Sequence, residues 1–388
     1  MKKKPSTSKS ARSALDDSHI IQNKKNNGNL LEFTMKSVDV SVANSIRRTL
    51  LNDIEIPVMK GFPHAESNIQ IAKNTTRMNN EILKSRLGCI PIFFQHLPRD
   101  QIENLQVVLK GKNNGSEVIY LTTESIRVRD RKTNTFLDDA TVKKMFPPCP
   151  TTDMYIDILR LHPSVMNYDV DPNSVTGDMS SAPQGEEVDL TADLAFGTAA
   201  ETAMFNVTST CAYAYTPDPA KLAEAWKFEQ QKNKDTDYHD WAYINKHKHT
   251  IPNSFDFVIE TVGQYSNEEL IVRACQILKK NLDNTVASLS DGTRIQPSSQ
   301  IGENTYDVTI KDTYTLGKLF ERELFRIFYR PKDTILTFCG FLKNHPNDDT
   351  STLRLTFAQP KEQDFIVECF RTAATNLTQT LDKIISEM

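Results

Sequence analysis

The sequence predicts an α+β fold in which one strand–helix unit is used twice within a single chain. Three observations carry this. The apolar spacing of VSVANSIRRTLLND returns 274 residues later in TYTLGKLFERELFR; each copy follows a short strand pattern; and each segment closes in a long amphipathic helix. In that register Ser41 pairs with Thr315, Val42 with Leu316, Ala43 with Gly317, Ile46 with Phe320, Arg48 with Arg322 and Leu50 with Leu324. Two copies so far apart exclude a solenoid. They predict that like apolar faces meet across an approximate two-fold axis, as in an isologous dimer.

Taken in order, residues 1 to 28 are Lys, Ser and Asn with little apolar content, which predicts a disordered tail. NLLEFTMKSVD then reads as a strand, and the helix after it is capped by Asp39 or Ser41 and has ended before Pro57. SNIQIAKN is a second strand, followed by a short helix carrying Ile82, Leu83 and Leu87 that Gly88 and Pro91 stop. LQVVLK, the turn KNNGSE and VIYLTTES predict a hairpin over 105–125, because Asn-Gly favours tight turns. Residues 163–187, rich in Pro, Ser and Asp, read as a loop or mobile insertion.

From 218 to 235 the pattern is a charged helix with a narrow apolar stripe of Leu222, Ala225 and Trp226, which places it on a surface. SFDFVIETVGQYS alternates as a strand. The next helix is capped by Ser266 with Glu269 completing a capping box, and Ile271, Ala274, Ile277 with Leu278, and Leu282 line one face. SDGTRIQPSSQIGEN, residues 290–304, reads as a linker. After the second copy, Ile366, Phe370, Ala373, Leu377, Leu381 and Ile384 form the stripe of the last helix.

Composition excludes several functions. The 388 residues carry 46 Lys and Arg against 50 Asp and Glu, a formal charge of −4, which argues against a protein whose main task is neutralising phosphates. Apolar runs such as CIPIFF fall far short of a bilayer span, and none follows the basic start, so neither secretion nor membrane insertion is expected. The six cysteines are dispersed, with no CxxC and no HExxH, which predicts a reducing compartment and no metal site. No phosphate loop, nucleophile elbow or paired-carboxylate motif is present, so no catalytic residue and no cofactor is expected. The densest basic run, Arg127, Arg129, Arg131 and Lys132, is interrupted by Asp130 and lacks interleaved aromatics, which favours a protein-facing or solvated strand end over a nucleic-acid contact.

FTMKSVDVSVANSIRRTLLNDIEIP with KNTTRMNNEILKSRLGCIPI resembles the third-largest subunit of eukaryotic and archaeal RNA polymerases, a relative of the bacterial alpha subunit. GEEVDLTADLAFGTAAETAMFNVTSTCAYAYTP resembles that family's inserted domain, and NSFDFVIETVGQYSNEELIVRACQILKKNL its closing strand and helix. DTYTLGKLFERELFR, FCGFLKNHPNDDTSTLRLTF and the last helix resemble the small partner, the eleventh subunit in RNA polymerase II. The resemblance implies a fusion of the two, as in large DNA viruses. It implies two dimerisation units paired as an intramolecular pseudo-dimer: 29–92 with 251–289, interrupted by a mainly-β domain over 93–250, and 305–388.

It further implies a non-catalytic assembly platform that docks the second-largest and largest subunits and small polymerase subunits, meeting DNA only through the complex. The location would be intracellular, and for a viral chain the host cytoplasm or nucleus and the virion. Asn44, Arg47, Arg48, Glu81 and Arg86 are the implied large-subunit contacts, with Arg48 projecting outward as the main anchor. Val42, Ile46, Leu50, Ile271, Ala274, Leu278, Leu316, Phe320, Leu324, Ile366, Phe370 and Leu377 are the expected pairing residues. The sequence departs from the family in lacking a Cys-rich metal loop, in having AAETA after Gly197, and in an extra charged segment over 218–249. A free-standing protein-binding adaptor of the same fold is the alternative reading.

Overall fold

The computed structural model describes residues 19–94, 97–164, 185–233, 236–298, 302, 304–311, 314–329 and 335–388. The chain enters through an antiparallel hairpin, β1 (Ile21–Asn27) and β2 (Leu30–Lys36), whose turn uses Gly28 at φ +66°. Helix α1 (Val40–Asn52) follows, with the Asp39 carboxylate accepting from the Ser41 amide at 3.0 Å. Disorder was expected through residue 28. Residues 1–18 lie outside the described residues, but β1 is a sheet strand with Ile20 and Ile21 buried. The Ile21 amide donates to Glu387 Oε2 at 2.7 Å and Lys24 Nζ to the Met388 carbonyl at 2.9 Å. Partners more than 360 residues away are invisible to local composition.

Next come β3 (Ile56–Val58), β4 (Ile69–Asn74), α2 (Asn80–Gly88), α3 (Arg99–Ile102), β5 (Leu105–Lys112), β6 (Ile119–Thr122), β7 (Arg127–Asp130), β8 (Thr135–Phe136), α4 (Asp139–Met145), β9 (Asp157–Leu161), β10 (Glu187–Asp193) and β11 (Ala195–Gly197). Separate from the two-stranded pairs β6-β9 and β11-β3, a five-stranded sheet runs in the order β4-β10-β5-β7-β8. Met59, Ile69, Leu83, Leu87, Val107, Val128, Leu159 and Leu190 belong to its own apolar core.

The hairpin expected over 105–125 does not form. β5 pairs with β10 and β7, and β6 pairs with β9. Asn113 is buried and donates to the carbonyls of Glu117 and Leu161 while accepting from the Gly115 amide, so this side chain carries the chain from one sheet to the other. The loop expected over 163–187 is mostly residues 165–184, which lie outside the described residues; from Glu187 the chain is strand β10.

After β12 (Thr208–Pro217) the helices α5 (Pro219–Lys232) and α6 (Tyr238–Asn245) form a surface hairpin in which Trp226 packs on Tyr238 and Trp241. Strand β13 (Thr250–Thr261) and α7 (Asn267–Leu289) complete the first unit, with sheet order β1-β2-β13-β12. Ser266 caps α7 as expected, but the Glu269 carboxylate turns to Arg273 at 2.7 Å rather than back to the cap. The second unit is β14 (Ile295–Pro297), β15 (Thr305–Ile310), α8 (Tyr314–Leu324), a π-helical turn over Phe325–Tyr329, β16 (Leu336–Leu342), β17 (Ser351–Phe357) and α9 (Gln363–Glu387). Its sheet runs β14-β15-β17-β16. The two four-stranded sheets match: β2 leads into α1 as β15 into α8, and β13 into α7 as β17 into α9.

Two expected boundaries move. The linker 290–304 contains β14, paired to β15 with Ile295 buried, because three residues of strand need little sequence signal. The insertion expected over 93–250 does not coincide with the division into cores: Ile69, Leu83 and Leu87 sit in the second core, while Phe205, Val207 and Cys211 belong to the first. The segment SNIQIAKN pairs with β10, and that long-range pairing, unlike hydropathy, decides which core it joins.

Candidate functional site

All twelve expected pairing residues are buried in one apolar core, contributed by α1, α7, α8 and α9. Ile46, Leu50, Ile271, Ala274, Phe320 and Phe370 have no accessible surface, and the rings of Phe320 and Phe370 lie 5.1 Å apart. Each helix has a single apolar stripe, so four of them can bury it only against one another and against their sheets.

Polar contacts fix the register of α1 on α8. Arg48 Nε donates to Thr315 Oγ1 at 3.0 Å, and Arg322 Nε donates to Asp39 Oδ2 at 2.7 Å. The helices therefore run antiparallel, each guanidinium meeting the first turn of the other. Arg48 and Arg322 occupy the same place in the repeat, so the two contacts are near-images. They are unequal electrostatically. A positive charge at a helix N-terminus opposes the helix dipole; the Asp39 carboxylate compensates Arg322, whereas Arg48 finds only a hydroxyl and has no carboxylate partner among the described residues. Burial alone would raise the Asp39 carboxyl, but hydrogen bonds from Ser41 and Arg322 outweigh it and hold the carboxyl below its ordinary range.

The outward projection expected of Arg48 is thus corrected in part: it is half-buried and its Nε belongs to the pairing contact. An arginine one turn from the helix end reaches whatever crosses there, and only the fold shows that α8 does. Arg47 donates from Nε to Asn44 Oδ1 at 3.1 Å, so Asn44 orients that guanidinium. Glu81 and Arg86 lie on α2 in the other core, both exposed, and Arg86 Nη2 donates to the Asp157 carbonyl at 2.7 Å rather than pairing with Glu81. Among the described residues no hydrogen bond or ion pair joins Glu81 or Arg86 to Asn44, Arg47 or Arg48. Sequence reading named Asp39 only as a cap and Thr315 only as a repeat mate. The available signal was an arginine at one repeat position in two helices expected to pair.

The basic run at 127–132 is largely spent within the protein. Arg129 donates to Gln106, Arg131 pairs with Asp193 at 3.0 Å, and Arg127 lies 4.4 Å from the Phe136 ring centroid. Among the described residues no three His, Cys, Asp or Glu side chains gather as a metal site requires, and no helix is long and apolar enough to cross a membrane.

With this geometry in view, residues 32–282 match the RNA polymerase Rpb3/Rpb11 dimerisation domain. The chain belongs to that family. DNA-directed RNA polymerase subunit Rpo3 of Methanosphaera stadtmanae is 25% identical over 295 residues, 66% of this chain and 92% of the relative. DNA-directed RNA polymerases IV and V subunit 3B of Arabidopsis thaliana is 23% identical over 318 residues, 70% of this chain and 91% of the relative. The human DNA-directed RNA polymerases I and III subunit RPAC1 is 42% identical over a shorter stretch of 64 residues, 16% of each chain. The Rpb3/Rpb11 match ends within α7, so α8 and α9 lie beyond it.

Proposed function

We propose that this chain is the non-catalytic assembly platform of a DNA-directed RNA polymerase, with third-subunit-like and eleventh-subunit-like units joined in one polypeptide as an intramolecular pseudo-dimer. Membership of the Rpb3/Rpb11 dimerisation family and relatives named as polymerase subunits support the assembly role. The observation that carries the pairing is the near-image contact of Arg48 with Thr315 and Arg322 with Asp39 inside one apolar core.

On this reading the mainly-β region with its own core is an insertion, and the paired helices hold the sheets so that one face meets the second-largest subunit. Arg48, uncompensated at the start of α8, supplies a desolvated donor for a partner carboxylate or carbonyl, with Arg47 and Asn44 beside it. The largest subunit and small subunits would add to that assembly, and DNA would be met only through it. The protein would then work inside the cell, and for a viral polymerase in the host cytoplasm or nucleus and in the virion.

Purification from the native source tests this. A platform subunit travels stoichiometrically with two very large polypeptides, whereas recovery of the chain alone, or of an obligate homodimer with exchanged halves, would overturn the proposal.

A further inference from the structure

The last turns of α7 and the start of the second unit enclose a cavity of about 310 Å³, lined by side chains from both units. Asn281, Asn284 and Ser288 share one face of α7, because residues three, four and seven apart are neighbours on a helix. Arg294 immediately precedes β14, Lys311 directly follows β15, and Leu316 belongs to the first turn of α8. Among the described residues every charged side chain in this lining is a cation.

The cations have no counter-charge. Arg294 spends one Nη1 donor on Ser288 Oγ at 3.2 Å, and Ser288 in turn donates to the Thr285 carbonyl at 2.8 Å. Neither Arg294 nor Lys311 meets a carboxylate among the described residues, and the side-chain amides of Asn281 and Asn284 make no hydrogen bond there. Neighbouring acids are engaged elsewhere or turned aside: Asp291 accepts from the Thr293 amide and hydroxyl at 3.1 and 2.9 Å, and Asp283, two residues from Asn281, lies on another face of α7. A cation at the C-terminal end of α7 is favoured by the helix dipole, which accounts for Arg294 by itself. It does not account for Lys311 or for two idle amides, and the first turn of α8 adds positive potential on the opposite side.

This lining selects an oxyanion. A cation would be repelled by Arg294 and Lys311, and an apolar ligand would find only Leu316. A carboxylate presents two oxygens in one plane and suits a single guanidinium fork, whereas the donors here converge from α7, from the residue before β14 and from the end of β15. Donors on three elements match the three-dimensional spread of oxygens on a tetrahedral phosphate.

We propose that this cavity is a phosphate site, in which a phosphate group, free or carried by a small molecule, is held between Arg294, Lys311 and the amides of Asn281 and Asn284. Because those donors belong to both units, occupancy ties α7 to the second unit and stabilises the pairing. The proposal goes beyond the assembly reading and does not depend on it.

The test uses the full chain. Binding of inorganic phosphate is followed by phosphorus NMR titration and by melting temperature, with sodium chloride and sodium acetate at matched ionic strength as controls. Phosphate should bind saturably, and at tenfold excess over its Kd should raise the melting temperature by about 2 °C. Lys311 is exposed and unpaired, so Lys311→Gln should leave the melt in chloride unchanged while weakening phosphate binding about fivefold. Arg294→Gln should weaken it about tenfold and Arg294→Lys no more than about threefold. Lys25→Gln, on the exposed edge of β1, should bind as wild type does. ATP separates the two sources: binding tighter than phosphate and lost in the same variants assigns a phosphorylated small molecule, and binding no tighter assigns the free ion. Equal stabilisation by acetate or chloride overturns the proposal. So does phosphate binding undiminished in both Lys311→Gln and Arg294→Gln.

Discussion

Arg322 donates from Nε to the Asp39 carboxylate at 2.7 Å, joining residues 283 positions apart at the crossing of α1 and α8. The carboxylate has two roles, since it also caps α1 through the Ser41 amide. Asparagine retains the cap and loses the charge, so Asp39→Asn isolates the ion pair. Both partners are partly exposed, and the expected cost is about 0.5–1 kcal/mol at neutral pH. The folded-state pKa of Asp39 is held below its ordinary 3.8, so the stabilisation is present above that value and lost as pH falls through the depressed one. Denaturant titrations of both proteins from pH 7 to 3 should show the gap closing at the acid end. A gap that does not narrow between pH 5 and pH 3 would assign the cost to something other than the charge.

Arg48 takes part in both pairing and proposed docking, and two variants separate the roles. Thr315→Val removes the hydroxyl but leaves the guanidinium, and should cost about 0.5–1.5 kcal/mol of stability with docking retained. Arg48→Ala should show the same loss of stability and in addition weaken capture of the second-largest subunit by roughly 2–4 kcal/mol. Equal capture by Arg48→Ala and wild type in a reconstitution assay would remove Arg48 from the docking surface.

The shared core should tolerate a break in the chain better than a hole in the packing. Phe320 is fully buried against Phe370, and Phe320→Ala should destabilise by about 3–5 kcal/mol, visible as a lowered melting temperature. Fragments divided after Ser290 should copurify when co-expressed, because β14 stays with its partner β15 and the apolar helix faces still meet. Fragments that elute separately would count against a joint core.

Thiol chemistry offers an independent check of burial. Cys211, Cys275, Cys339 and Cys369 are pushed up to about 12 by burial, whereas Cys89 and Cys149 are exposed. Hydrogen bonds from Thr152 and Thr151 lower Cys149. Two thiols should therefore react with an aromatic disulfide reagent in the native protein at pH 8, Cys149 the faster, and all six after unfolding. Mass mapping that finds Cys275 or Cys369 modified under native conditions would contradict this core.

What could be read beforehand followed the range of the interactions. The helices were legible because Ile46 and Phe320, or Leu50 and Leu324, sit at one spacing in a repeated pattern, and amphipathic spacing needs only neighbours. The caps at Asp39 and Ser266 were legible for the same reason. The turn at 113–116 was not: Asn-Gly normally closes a hairpin, but Asn113 reaches Leu161 and diverts the chain into another sheet. Strand β1 was missed because a polar edge strand is held by backbone bonds and by Glu387 at the far end of the protein. The helix that carries Arg48 is legible and the partner of Arg48 is not, since Thr315 becomes a neighbour only after the units have paired.

The burial of α1 against α8 also sets a schedule for synthesis. The stripe of Val42, Ile46 and Leu50 is complete early, yet part of its cover, Leu316, Phe320 and Leu324, lies some 270 residues downstream, on the order of half a minute at ordinary elongation rates. During that interval the part of the α1 stripe that α8 covers in the finished protein stays open to solvent. Once Leu324 emerges, the tether supplies its mate at an effective concentration set by chain length rather than by expression level. One message then yields the two units in equal number, and neither half accumulates as an orphan when translation is scarce.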